Sequence, residues 1–235
     1  TVEHSHARLG LERNPFHVLG LEVVFDGNVV ARKKREIVVQ ILALEGVGYD
    51  GLVLHADLVG MAVLTQCEDR SFELERGEVI EVAQPGRRHG VVCGNAGWSL
   101  GNFVRQRGKG YICTNDTGVI VERGPDTVRG ADAALYDDVS KYEDVPTRLG
   151  DTIPKLVVEV LSPSDRWSRT IRRITEFLRR GVALVWLVDP EGRDITVYRA
   201  GRDPIVFAES DEITGEDVLP DLRLRVADFF KMPGE

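Results

Sequence analysis

PKLVVEVLSPSD, residues 154–165, is the most hydrophobic run of the chain and the one that decides its architecture. Leu156, Val157, Val158, Val160 and Leu161 follow one another without polar alternation, the mark of a strand buried on both faces. Glu159 alone interrupts the run. A carboxylate in such a strand is expensive unless it is paired, hydrogen-bonded or coordinating a metal. The run therefore calls for cover on both sides and for a partner to its acid.

Working outward, Ser162–Asp165 offers a turn, with Ser164 and Asp165 as N-cap chemistry for the helix RWSRTIRRITEFLRRG (166–181), which Gly181 ends. VALVWLVDP (182–190) reads as a second fully buried strand stopped by Asp189-Pro190, RDITVYRA (193–200) as one more strand, and VADFFKM (226–232) as a short closing helix. Upstream, SFELERGEVIEV (71–82) reads as two strands joined at Arg76-Gly77. GRRHGVVCGNAGWSLGNFVRQRG (86–108) fits a helix burying Val91, Val92, Trp98, Leu100, Phe103 and Val104, with its glycines allowing close packing. GYICTNDTGVIVE (110–122) is expected to be a hairpin turning near Asn115–Gly118, followed by a strand in GADAALYDD (130–138). Trp98, Trp167 and Trp186 are most simply packing residues, with base stacking an alternative for Trp167. The sum is an α/β fold: a mixed β-sheet core flanked by helices.

Residues 1 to about 60 read differently. NPFHVLGL (14–21) is loop and short apolar run, FDGN (25–28) a turn, and ARKKREIVVQILALEG (31–46) a helix whose basic start opposes its dipole. His4 and His6 form an H-x-H pair better read as a frayed end. The expected division is an extension over 1–60 and a domain over 61–235. No apolar run approaches the roughly 18 residues needed to cross a bilayer. The opening TVEHSHARLG lacks a secretory profile, and Cys67, Cys93 and Cys113 form neither a C-x-x-C pair nor an even set, so reduced thiols in a cytoplasmic protein are expected. The net charge of −8 argues against tight nonspecific nucleic-acid binding but leaves room for local patches and a bound cation.

Asp132 sits near the start of its strand, in GADAALY. If that strand neighbours the one carrying Glu159, the two carboxylates converge on one divalent cation, and a small set of oxygen ligands suits magnesium or manganese. Such a cation acidifies bound water and stabilises phosphoryl charge.

FELERGEVIEV, RRHG, DTVRGADAALY, LVVEVLSPSDRW, GVALVWLVDP, RDITVYR and DVLPDLRL, in that order over roughly residues 68–231, resemble the Uma-two family of endonucleases, part of the PD-(D/E)XK nuclease superfamily. The resemblance implies a restriction-endonuclease-like fold and a magnesium- or manganese-dependent hydrolase cutting DNA, commonly as a homodimer. It makes Asp132 the first metal ligand and Glu159 the acid of the E-x-K element. Leu161 takes the place of the lysine, and the matching helix position is Arg173. Glu78 matches an acidic position near the start of the domain, and His89 a recurrent His-Gly. Ala131 replaces the usual proline. Arginine at 173 grips phosphate well but stays protonated, so it cannot act as a base.

Plainer readings stand beside these. Asp132 can cap a turn, Glu78 can be an exposed hairpin residue, and His89 a hydrogen-bonded residue at a helix start. Glu159 can be satisfied by a buried ion pair with Arg173, which would leave a sound fold without catalysis. Arg172 points about 100° away from Arg173 around the helix, so only one of them faces the site. A catalytically impaired nucleic-acid-binding or assembly module is therefore the rival to a nuclease.

Overall fold

The hydrophobic run at 156–160 lies in the middle of a sheet, as its composition requires. The structure is a computed structural model that describes residues 71–235. The expectations for FDGN, the helix at 31–46, the H-x-H pair and Cys67 fall outside the described residues.

Strands β1 (Ser71–Glu75) and β2 (Glu78–Val82) form the expected hairpin, with Arg76 and Gly77 both at positive φ, 52° and 82°. That pair of left-handed residues is the two-residue turn whose twist matches its strands. Helix α1 (Arg87–Arg107) follows, then β3 (Tyr111–Glu122), β4 (Thr127–Tyr136), β5 (Leu156–Val160), helix α2 (Trp167–Arg180), β6 (Leu184–Asp189), β7 (Asp194–Tyr198) and β8 (Ile205–Ala208). Strands β9 (Glu212–Gly215) and β10 (Leu219–Arg225) pair with each other, and a short 3-10 turn at Val226–Phe229 stands where a closing helix was expected. Strands β8, β9 and β10 carry no clear period in the sequence. β5 and β6 run parallel; the other pairs in the main sheet are antiparallel.

Both faces of the sheet are covered, and β5 and β6 alternate between them. Leu156, Val158, Leu184, Trp186 and Val188 pack with Val92, Ala96, Leu100 and Phe103 of α1. Val157, Val185 and Leu187 pack on the other side with Ile174 and Phe177 of α2. Gly181, at φ 107°, ends α2 in the left-handed conformation, where its N–H bonds Leu178 O.

Three expectations are corrected. The segment 110–122 is one long strand, not a hairpin. Asn115 and Asp116, at φ 67° and 55°, form a bulge that shifts the register against β4 by one residue between Thr114 and Thr117, and the turn comes later, after Glu122. Gly130 makes this possible: a Cβ there would meet Asp116 at 3.0 Å, so the bulge closes over a bare backbone. Second, Val91 and Trp98 lie on the outer side of α1 and Trp167 is 61% exposed; only Trp186 is core. The buried face of α1 uses His89 and Ala96 instead. Third, α2 starts one residue later than the cap expected: Arg166 is the N-cap without a side-chain bond, and Asp165 Oδ2 accepts from Ser162 N–H at 2.7 Å, closing the preceding turn.

Candidate active site

The site grows from a fork in the sheet. β3 occupies one whole edge of β4. On the other edge β1 touches only the start of β4, at Leu74 opposite Val128, and β5 pairs only with its far end, from Ala133 to Leu135. Between them the backbone of β4 has no neighbouring strand among the described residues. Buried N–H and C=O groups must find partners, and here side chains supply them. Gly130 N–H donates to Glu73 Oε1 at 2.9 Å, and Gly130 O accepts from Arg173 Nη2 at 2.8 Å. Asp132 Oδ2 accepts from Val160 N–H at 2.7 Å.

The β4–β5 register, carried one residue on from Ala133↔Val158, sets Asp132 opposite Glu159. The neighbouring strands required by the sequence argument are thus present, with Asp132 within β4 and not at its start. Glu159 is buried, and its Oε2 accepts from Arg173 Nε at 2.8 Å. Its Oε1 is also buried and has no hydrogen-bond partner among the described residues. Burial pushes the Glu159 carboxyl up to about 8, against the pull of the Arg173 charge and with the charge of Asp132 adding.

Arg173, not Arg172, faces the site. Beyond Glu159 and Gly130 O, its Nη1 bonds Glu73, so the fork of the guanidinium is engaged by three partners. Burial would lower its pKa, but the charges of Glu159 and Glu73 hold it well above the usual range. Arg172 is exposed and pairs with Glu75 at 2.8 Å. The ion pair between Glu159 and Arg173 is therefore real, and it uses one of the two carboxylate oxygens.

His89 and Glu78 part company. His89, at the start of α1, is buried with Nε2 3.3 Å from Asp132 Oδ2 and Nδ1 3.3 Å from Cys93 Sγ. Burial alone would lower its pKa; the hydrogen bond and charge of Asp132, with Asp116 and Asp165, raise it above 6.5. Glu78 is exposed at the head of β2 and lies outside the cleft. The hairpin register explains why: Glu73 of β1, five residues earlier, takes the inward place beside β4.

Five residues escaped the sequence argument. Glu73 bridges Arg173 and Arg129. Arg129 is 2% exposed; it holds Glu176 through Nε at 2.7 Å, Glu73 at 3.2 Å and Glu75 at 3.1 Å. A charge inside the apolar TVRGADAALY run is the same signal that singled out Glu159, and it would have found Arg129. Asp116, on the bulge, reaches the rim, where partial enclosure and then Asp132 raise its pKa. Its position depends on an irregularity that no local pattern announces. Arg166 and Arg169 line the cleft and make no ion pair among the described residues.

The cleft itself, about 860 Å³, is lined by Glu73, His89, Asp116, Asp132, Glu159 and Arg173, among others. A hard divalent cation fits this donor set: two carboxylates from neighbouring strands line one cleft, and one carries a buried oxygen with nothing to bond among the described residues. Such an atom is costly to leave unpaired, and a cation satisfies it.

A family model described as "Uma2: Putative restriction endonuclease" matches residues 62–227. A crystal structure from Anabaena variabilis, described as a putative nuclease belonging to DUF820, is similar in fold with a TM-score of 0.56 and 18% identity, covering 68% of this chain and 89% of that one. No curated protein matches the chain.

Proposed function

The chain belongs to the Uma2 family, and from that membership we propose that its residues 61–235 form a nuclease domain that hydrolyses DNA phosphodiester bonds with a divalent cation, magnesium or manganese, held by Asp132 and Glu159. The observation that carries this reading is the buried Oε1 of Glu159, unpartnered among the described residues, on the strand beside that of Asp132. When bound, the cation supplies Lewis-acid stabilisation of phosphoryl charge and lowers the pKa of water.

The residues of the chain divide the remaining work. Arg173 fixes the Glu159 carboxylate through Oε2 and leaves Oε1 for the cation. Held protonated by two carboxylates, it accepts no proton from water. Its engagement with Glu73 and Gly130 O also leaves the grip on substrate phosphate to other cations. Arg166 and Arg169, unpaired at the cleft, are placed for that role and give an acidic protein a local cationic patch. His89 and Val160 N–H both meet Asp132 at Oδ2 and hold that carboxylate in place, and the imidazole is a group that can exchange a proton in the cleft. Pairing of two copies, so that two sites address two strands, belongs to the same proposal. Among the described residues no helix is long and apolar enough to cross a membrane.

Incubation of supercoiled plasmid with the protein and magnesium or manganese tests the reading. Nicking that disappears in Asp132→Ala and Glu159→Ala is expected; no nicking by the wild type, or nicking unchanged in both variants, overturns it. One observation favours the rival, a nucleic-acid-binding module without catalysis: the arginine that stands for the family lysine is saturated by acids. That rival retains DNA binding in the wild type with no manganese bound at the carboxylates.

A further inference from the structure

We propose that His89, Cys93 and Asp132 form a second cation site, selective for zinc-class metals, that shares Asp132 with the oxygen site and competes for it. The binding half of this proposal does not depend on the nuclease reading; only the competition does.

His89 and Cys93 are one helical turn apart at the start of α1, so they lie on one face of the helix. That face meets β4 at Asp132. His89 Nε2 is 3.3 Å from Asp132 Oδ2, Cys93 Sγ is 4.0 Å from His89 Nε2, and one donor atom from each residue can be chosen so that all three lie within 4.8 Å of one another. A tetrahedral zinc ion with bonds of about 2.0–2.3 Å separates its ligands by about 3.3–3.8 Å. The three donors thus stand close to one face of that tetrahedron, needing side-chain adjustment only. His89 and Asp132 border the cleft, which leaves the fourth corner open to it.

The donor types decide the metal. One thiolate, one imidazole and one carboxylate select zinc or cobalt over magnesium, which takes oxygen ligands. The Asp132–Glu159 pair, all oxygen, has the opposite preference. The two sites meet at one carboxylate. A zinc-class cation bound to Asp132 Oδ2 takes the oxygen that now accepts from Val160 N–H and draws Asp132 toward α1, away from Glu159. Zinc is then an inhibitor of a magnesium-driven reaction.

Cobalt(II) titration of the metal-free full-length chain, followed by absorption, tests the site. A saturable thiolate-to-cobalt charge-transfer band at one equivalent is expected, bleached by added zinc. The band should persist in Cys67→Ser, Cys113→Ser and Glu159→Gln, vanish in Cys93→Ser and Cys93→Ala, and require at least about tenfold more cobalt in His89→Ala, as loss of one of three protein ligands demands. Circular dichroism checks that each variant is folded. Absence of the band in the wild type, or its survival in folded Cys93→Ser, overturns the proposal. A cobalt band in a wild type that neither binds manganese nor nicks plasmid sinks the nuclease reading alone.

Discussion

Arg173 Nε lies 2.8 Å from Glu159 Oε2 and leaves the other oxygen of that buried carboxylate without a partner among the described residues. It occupies one oxygen of the acid, and in the proposed function it leaves the other for a cation. The desolvation cost of the pair is offset by three partners around one guanidinium.

Manganese binding should therefore depend on both carboxylates and on pH. Glu159 is pushed up to about 8 in the metal-free protein, and a cation needs it charged. Affinity measured by calorimetry should rise as pH rises toward that value, with proton release on binding. Asp132→Asn and Glu159→Gln should each weaken binding by at least about 100-fold. A pH-independent affinity would contradict the assignment of Glu159.

The buried charge network should be worth more intact than in parts. Removing Arg173 strands Glu159 and takes one of the two arginines from Glu73; removing Arg129 strands Glu176 and takes the other. Arg173→Met and Arg129→Met should each destabilise the fold by about 3–5 kcal/mol in urea denaturation. Arg172→Met, which breaks only an exposed pair with Glu75, should change stability by less than about 1 kcal/mol. Equal effects from all three would show that the network is not cooperative.

Stability should also report His89. Its folded pKa is raised above 6.5 by Asp132, Asp116 and Asp165. A raised value means that the protonated form is favoured by folding, so the contribution is complete below about pH 6.5 and is lost as pH rises through the folded value. With chelator present, the urea midpoint of the wild type should exceed that of His89→Gln most at acidic pH, and the gap should shrink above neutrality. A gap that widens with pH would refute the His89–Asp132 pair.

DNA binding should carry the signature of Arg166 and Arg169. If these unpaired cations neutralise phosphates, the double variant with alanine at both positions should lower the slope of log affinity against log salt by about 2. Fluorescence anisotropy at several salt concentrations measures it. An unchanged slope would move the phosphate contacts elsewhere.

How much of this was legible beforehand follows the range of each signal. Double-faced burial of β5 and β6, the Arg76-Gly77 turn, and Gly181 as the end of α2 are written in adjacent residues, because period and turn chemistry are local. The buried acid at 159 was legible too, since its cost comes from its immediate neighbours. The helix period showed that one of Arg172 and Arg173 faces the site, and the family resemblance pointed to Arg173.

Sequence alone thus determined that a doubly covered strand carries a carboxylate in need of a partner. The folded chain shows that Asp132 stands opposite it, that Glu73 rather than Glu78 joins them, and that 110–122 bulges where a hairpin was expected. Those outcomes depend on which strand edges meet across long loops and where β4 forks between β1 and β5. Register is set by packing of whole faces and by Gly130 admitting Asp116. No run of neighbouring residues contains that information.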